Sequence, residues 1–167
     1  MTPAPTLHAL CGLPFAGKST LAKRLAGESG AALVRLDEIN HEFGAGLDGA
    51  PISAEQWRRT YAEAYRRLAA HLQAGRSVIF DHGNFTRAER DQVRAVGARA
   101  GARVRFVYVP IPADQARRRL LLNRQTRERY DVRDDDFELA VGSFEPPDGE
   151  PDVLDVERLG AELPWDP

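Results

Sequence analysis

The run Gly12-Leu13-Pro14-Phe15-Ala16-Gly17-Lys18-Ser19 constrains this chain more than any other feature. Glycines at both ends of the turn let the backbone curl around an anion, and a lysine and a hydroxyl follow in register. The context is the one such a loop requires. Leu7 to Cys11 is an apolar run of strand length, and Leu21, Ala22 and Leu25 recur on one helical face downstream. A strand, a glycine-rich turn and a helix N-terminus in that order form a phosphate cradle, with backbone N–H groups and the helix dipole aimed at the anion. In such a loop Lys18 bridges the β- and γ-phosphates of a nucleotide, and the Ser19 hydroxyl ligates Mg²⁺. Gly12, Leu13, Pro14, Phe15, Ala16, Gly17, Lys18, Ser19 and Thr20 are therefore the expected nucleotide-binding set.

The remaining chain alternates strand and helix signals. Ala31–Leu36 reads as a second strand ending at Asp37, and Ser77–Phe80 as a third ending at Asp81. Ser53–Gln56 and Thr86–Glu89 are capping boxes that open helices running to Gly75 and towards Gly101. Trp57, Tyr61, Ala64, Tyr65, Leu68 and Leu72 recur at helical spacing along the first of these, as a core-facing stripe. Arg103–Val109 is a fourth strand closed by prolines, and an arginine-rich helix over 113–124 and a short helix over 137–144 follow. Val153–Val156 is a candidate fifth strand. This order predicts an α/β protein: three α/β/α layers around a mainly parallel five-stranded sheet, with a helical lid at about 113–145.

Size and charge narrow the setting. With 167 residues, 43% of them hydrophobic, the chain is expected to form a single domain over 1–167. Residues 1–6 are a short polar lead-in, and no apolar stretch approaches membrane-spanning length, so a cytoplasmic protein is expected. The single Cys11 cannot form an internal disulfide. A formal charge of −2 provides no global positive field for nucleic acid or an anionic membrane.

In a parallel sheet, ligands gather at the carboxyl ends of the strands. Asp37 and Asp81 should therefore emerge beside the phosphate loop. A carboxylate there can take the proton of an attacking hydroxyl or hold a metal-bound water. Asn40 and His41 follow Asp37, and Asn84 follows Asp81, as candidate acceptor contacts. Arg117 and Arg124 lie seven apart on one helical face, with Arg127 a turn further on, and could close over the phosphates.

Taken together, the loop at 12–19, Leu36-Asp37-Glu38-Ile39, Asp81-His82-Gly83-Asn84, the arginine lid and Phe144-Glu145-Pro146-Pro147 resemble the P-loop kinases grouped around polynucleotide 5′-kinase, zeta toxin and chloramphenicol phosphotransferase. The resemblance implies ATP- and Mg²⁺-dependent phosphorylation of a hydroxyl. Asp37 would be the general base, Lys18, Arg117 and Arg124 would act on the transferred phosphate, and Asp81 would hold the acceptor or the metal network. Polynucleotide kinases commonly carry an arginine three positions after the catalytic aspartate; here that position is Asn40. An uncharged or sugar-like small molecule, a metabolite or an antibiotic, is accordingly the expected acceptor. A 5′-hydroxyl polynucleotide or nucleoside kinase is one alternative, and an ATPase or nucleotide switch is another.

Overall fold

The computed structural model describes residues 3–156. Five strands, β1 (Thr6–Cys11), β2 (Ala32–Arg35), β3 (Val78–Asp81), β4 (Arg103–Tyr108) and β5 (Val153–Asp155), form one sheet in the order β2-β3-β1-β4-β5. Every strand pair is parallel. Parallel strands need crossover connections, and helices supply them: α1 (Lys18–Ser29), α2 (Leu36–Glu42), α3 (Ala54–Gln73), α4 (Arg87–Arg99), α5 (Ala113–Thr126) and α6 (Asp134–Ser143).

Strand alternation divides the core between two faces. Leu10, Ile79 and Val107 pack with Ala22 and Leu25 of α1 on one side. Leu7, Ala9, Val78, Phe80 and Phe106 pack on the other against Ala64, Leu68 and Leu72 of α3 and Val93 and Val96 of α4. The glycine at 97 lets α4 approach the sheet, since a Cβ there would lie 2.2 Å from Val104 Cγ2. A third, smaller core joins Ala116 and Leu120 of α5 to Phe137 of α6, with Phe15 of the phosphate loop packed against it. This lid core stands apart from the two sheet cores and touches the loop directly.

Both capping boxes form as read from the sequence, with Ser53 and Thr86 accepting from the backbone N–H of Gln56 and Glu89. The helix at Leu36–Glu42 corrects the expectation of a strand through Leu36. Leu36, Ile39 and Asn40 form its buried face, and Asp37 and Glu38 fall in the first turn, where the helix dipole favours carboxylates. Asp37 is thus a helix residue, not a strand end. The lid's second helix begins at Asp134 and not at 137, because Asp134, Asp135 and Asp136 occupy its first turn.

Candidate active site

Strand β1 lies at the centre of the sheet, so the loop it feeds emerges where the chain order reverses, the crevice position of open α/β sheets. Phe15 and Gly17 both adopt left-handed conformations, with φ of 63° and 100°. Such residues, interspersed in a tight turn, direct successive N–H groups inwards. Gly12 is obligatory for a different reason: a Cβ there would lie 2.6 Å from the Val109 carbonyl oxygen. Helix α1 has no side-chain cap and no acidic residue in its first turn. Its N–H groups thus have no carboxylate competing with an anion, and the cradle fits a polyphosphate.

Lys18 is buried, and its Nζ donates to the Gly12 and Leu13 carbonyls at 2.8 and 2.5 Å. Burial pushes its pKa down to about 8, while the charges of Asp81 and Asp37 work in the opposite direction. Lysine and both aspartates therefore share one electrostatic neighbourhood. Asp37 is an exposed residue in the first turn of α2. Desolvation and then the Asp81 charge hold its carboxyl above the usual aspartate range, against the pull of Lys18 and Arg35. Asp81, buried, accepts from Arg35 Nε at 3.2 Å, and Arg35 also pairs with Glu38 at 2.6 Å. Among the described residues no group of three or more His, Cys, Asp or Glu side chains forms a metal cage. A Mg²⁺ ion carried in on nucleotide phosphates would need few protein ligands, and the half-buried Ser19 at the start of α1 would be one.

The structure places the other expected contacts differently. Asn84 is buried, with φ of 46°, and its Nδ2 donates to the Leu10 carbonyl at 2.6 Å. It braces the loop after β3 against β1 and does not face the cleft. Asn40 is also buried; its Oδ1 accepts from Thr60 Oγ1 at 2.6 Å, tying α2 to α3. His41 is exposed and stacks on Tyr130 of the lid, ring centroids 5.3 Å apart.

The lid arginines are also redistributed. Arg117 pairs with Glu138 and lies over Phe137, while Arg124 pairs with Asp131 and Asp134 and donates to the Val132 carbonyl. Both do lie on one face, as their spacing requires, but that face meets α6 and its approach instead of the phosphate loop. Arg127 is the left-handed residue that ends α5. Arg119 lies about 200° around the helix from Arg117, and it is the one that donates to the Phe15 carbonyl, at 3.1 Å. Arg129 donates to Thr20 Oγ1 at 2.6 Å and opposes the charge of Lys18. Its aim is set by Asn123, whose side chain accepts from the Arg129 N–H and donates to the Arg129 carbonyl. Sequence reasoning missed Arg119, Arg129 and Asn123. No local signal in the sequence distinguishes the two arginines, because their partners Phe15 and Thr20 lie more than 100 positions away.

Between the loop and α5 lies a cavity of about 470 Å³, lined by Gly17, Thr20, Leu21, Arg119, Leu122 and Arg129 among others. Behind the cleft, Tyr61 Oη lies 2.8 Å from His82 Nε2, and burial pushes His82 down to about 3, so the imidazole is neutral. The expected stripe of α3 packs on the main core. Ala64, Leu68 and Leu72 are buried in the core, and Trp57, Tyr61 and Tyr65 pack half-buried against it, with Tyr61 also reaching His82 after Asp81. Cys11 is buried, its thiol pushed up to about 11 by desolvation, and it is inert.

A parallel sheet with a lysine-bearing phosphate loop, two carboxylates at its carboxyl edge and a helical lid defines a P-loop kinase domain. Residues 7–147 match the family model described as an AAA domain, and the chain belongs to that family of P-loop kinases. Solved structures share the fold at low identity. A gluconokinase from Sinorhizobium meliloti 1021 is 16% identical, with 91% of this chain and 82% of that one covered at a TM-score of 0.66. The Mycobacterium tuberculosis APS kinase CysC, in complex with AMPPNP and APS, is 20% identical, with coverage of 92% and 89% and a TM-score of 0.64. Chaetomium thermophilum Kti12, in complex with ADP-AlF3, is 20% identical, with coverage of 96% and 89% and a TM-score of 0.67. No curated protein matches the chain by sequence. Among the described residues no helix is long and apolar enough to cross a membrane.

Proposed function

We propose that this protein transfers the γ-phosphate of ATP to a hydroxyl of an uncharged, sugar-like small molecule. The observation that carries the reading is the placement of Asp37 at the start of α2, within one charge neighbourhood with Asp81 and Lys18. Helix α1 and the loop receive the β- and γ-phosphates, and the cavity beside Thr20 and Arg119 receives the rest of the nucleotide. Lys18 leaves the loop carbonyls for the phosphate oxygens, and Arg129 stands ready beside Thr20 to neutralise charge developing on the transferred group. Bound Mg²⁺ supplies charge neutralisation and phosphate orientation. Asp37 takes the proton of the acceptor hydroxyl, and its raised pKa brings its basicity closer to neutrality, where a general base is more effective.

The acceptor side disfavours a phosphate-bearing substrate. Asn40 is buried on Thr60, and Arg35 is already committed to Asp81 and Glu38. Incubation with labelled ATP and separate pools of sugars and other hydroxylated metabolites, nucleosides, and 5′-hydroxyl oligonucleotides tests the proposal. Label should pass to the first pool. Transfer to oligonucleotides would replace this reading with polynucleotide repair, and acceptor-independent phosphate release alone would replace it with an ATPase.

A further inference from the structure

Between Arg129 and Arg133 the lid loop touches both sides of the cleft. On the nucleotide side Arg129 holds Thr20 of α1. On the acceptor side Tyr130 stacks on His41, with ring planes 25° apart, and Arg133 donates to the Gly49 carbonyl at 3.0 Å. The loop between these contacts is not slack. Arg124 staples it from below through Asp131 and the Val132 carbonyl, and Asn123 clips its beginning at Arg129. A displacement of Arg129 must therefore be felt at Tyr130.

The recipient of that displacement carries the base. Helix α2 has only seven residues, too few to be stable by itself, so neighbouring contacts set its position: Leu36 and Ile39 in the sheet core and Asn40 on Thr60 hold its inner face, and Tyr130 on His41 meets its outer one. His41 lies four residues after Asp37 and so shares its face of the helix, one turn on. The segment that follows turns through left-handed glycines at 44, 46 and 49. Tyr130 itself is 55% exposed, so the ring is held in place by this stack and not by a core.

We infer that Tyr130 is a positioning residue that links nucleotide phosphate binding at Arg129 to the placement of α2, and with it Asp37, through the stacked His41–Tyr130 pair. The inference rests on the reading of Arg129 as a phosphate partner. When Arg129 moves from Thr20 to a nucleotide, the stapled loop shifts as a unit and draws His41 with it. The placement of the acceptor helix is thereby adjusted when the donor binds, which limits transfer to water.

Hydrogen exchange of the full chain, with and without AMP-PNP and Mg²⁺, tests this without knowledge of the acceptor. In the wild type, the nucleotide should slow exchange over 36–50 by about tenfold, a typical coupling between linked sites. Tyr130→Ala should reduce that effect to about twofold or less while protection at the α1 N-terminus persists, and Tyr130→Phe, which keeps the ring, should restore it. Equal protection of 36–50 in wild type and Tyr130→Ala, or none in the wild type despite protection at α1, overturns the inference. Absence of nucleotide-dependent protection at α1 instead overturns the nucleotide reading beneath it.

Discussion

The phosphate loop and the lid face one cleft but are held by different forces. The loop is fixed by backbone conformation and burial: left-handed turns at Phe15 and Gly17, a Gly12 pressed against Val109, and a buried Lys18. Behind it, Arg90, 1% exposed, pairs with Glu150 at 2.7 Å and donates to the Asn84 and Phe85 carbonyls, holding the loop after β3 in place. The lid has only a small core of Ala116, Leu120 and Phe137, and solvent-facing ion pairs tie its outer face: Arg117 with Glu138, and Arg124 with Asp131 and Asp134. Exposed pairs are worth little individually, whereas a buried pair cannot lose one partner cheaply. The difference teaches that the phosphate loop rests on groups that cannot lose a partner cheaply, whereas each ion pair of the lid can be lost at little cost.

The largest expected effect lies between the two halves. Asp37→Asn keeps the shape and removes the proposed proton acceptor, so phosphoryl transfer should fall by roughly 10²–10⁴ while ATP·Mg²⁺ binding stays within a few-fold. Near-normal transfer across the pH range would move the base to Asp81. Lys18→Ala should cost roughly 10²–10³ in turnover, as expected for losing a preorganised charge, and should also weaken ATP binding. Because burial lowers Lys18 to about 8, the free protein loses that proton above this pH and regains it with the phosphate. Calorimetry in buffers of different ionisation enthalpy should then report proton uptake on ATP binding.

Stability measurements address the comparison itself. Arg90→Ala leaves Glu150 buried without that partner and should destabilise the fold by about 3–5 kcal/mol, whereas Arg117→Ala should cost about 0.2–1 kcal/mol. Similar denaturation midpoints for the two variants would erase the distinction between rigid cradle and loose lid. In the lid, Arg129→Ala should slow transfer by about tenfold or more with ADP affinity little changed, because a group that engages mainly the transferring phosphoryl stabilises the transition state. Arg124→Ala should act more weakly and indirectly, through loosening of the 129–133 loop. A larger loss at Arg124 than at Arg129 would mean that the lid rotates far from the arrangement described.

The smallest effect is on pH dependence. Arg35 pulls the Asp37 pKa down, so Arg35→Gln should raise it further and move the acid limb of kcat/KM to higher pH. An unmoved or downward-shifted limb would separate Arg35 from the base.

The sequence by itself determined what local chemistry encodes. The phosphate loop needs glycines and a lysine at fixed spacing, the capping boxes need Ser53 and Thr86 three residues before Gln56 and Glu89, and alternating strands and helices demand a parallel sheet. Those signals lie within a few residues of the elements they define. Tertiary structure decided which polar residues face the cleft. Asn40 and Asn84 follow Asp37 and Asp81 in sequence, yet both turn inwards, because buried backbone and hydroxyl groups of Leu10 and Thr60 need partners. The arginines of 117–129 have the same charge and similar local context, and only the way α5 packs on Phe15 and α6 separates Arg119 and Arg129 from Arg117 and Arg124. Helical spacing fixes which residues share a face; what that face meets depends on residues more than 100 positions away in the chain, as in the bond from Arg129 to Thr20.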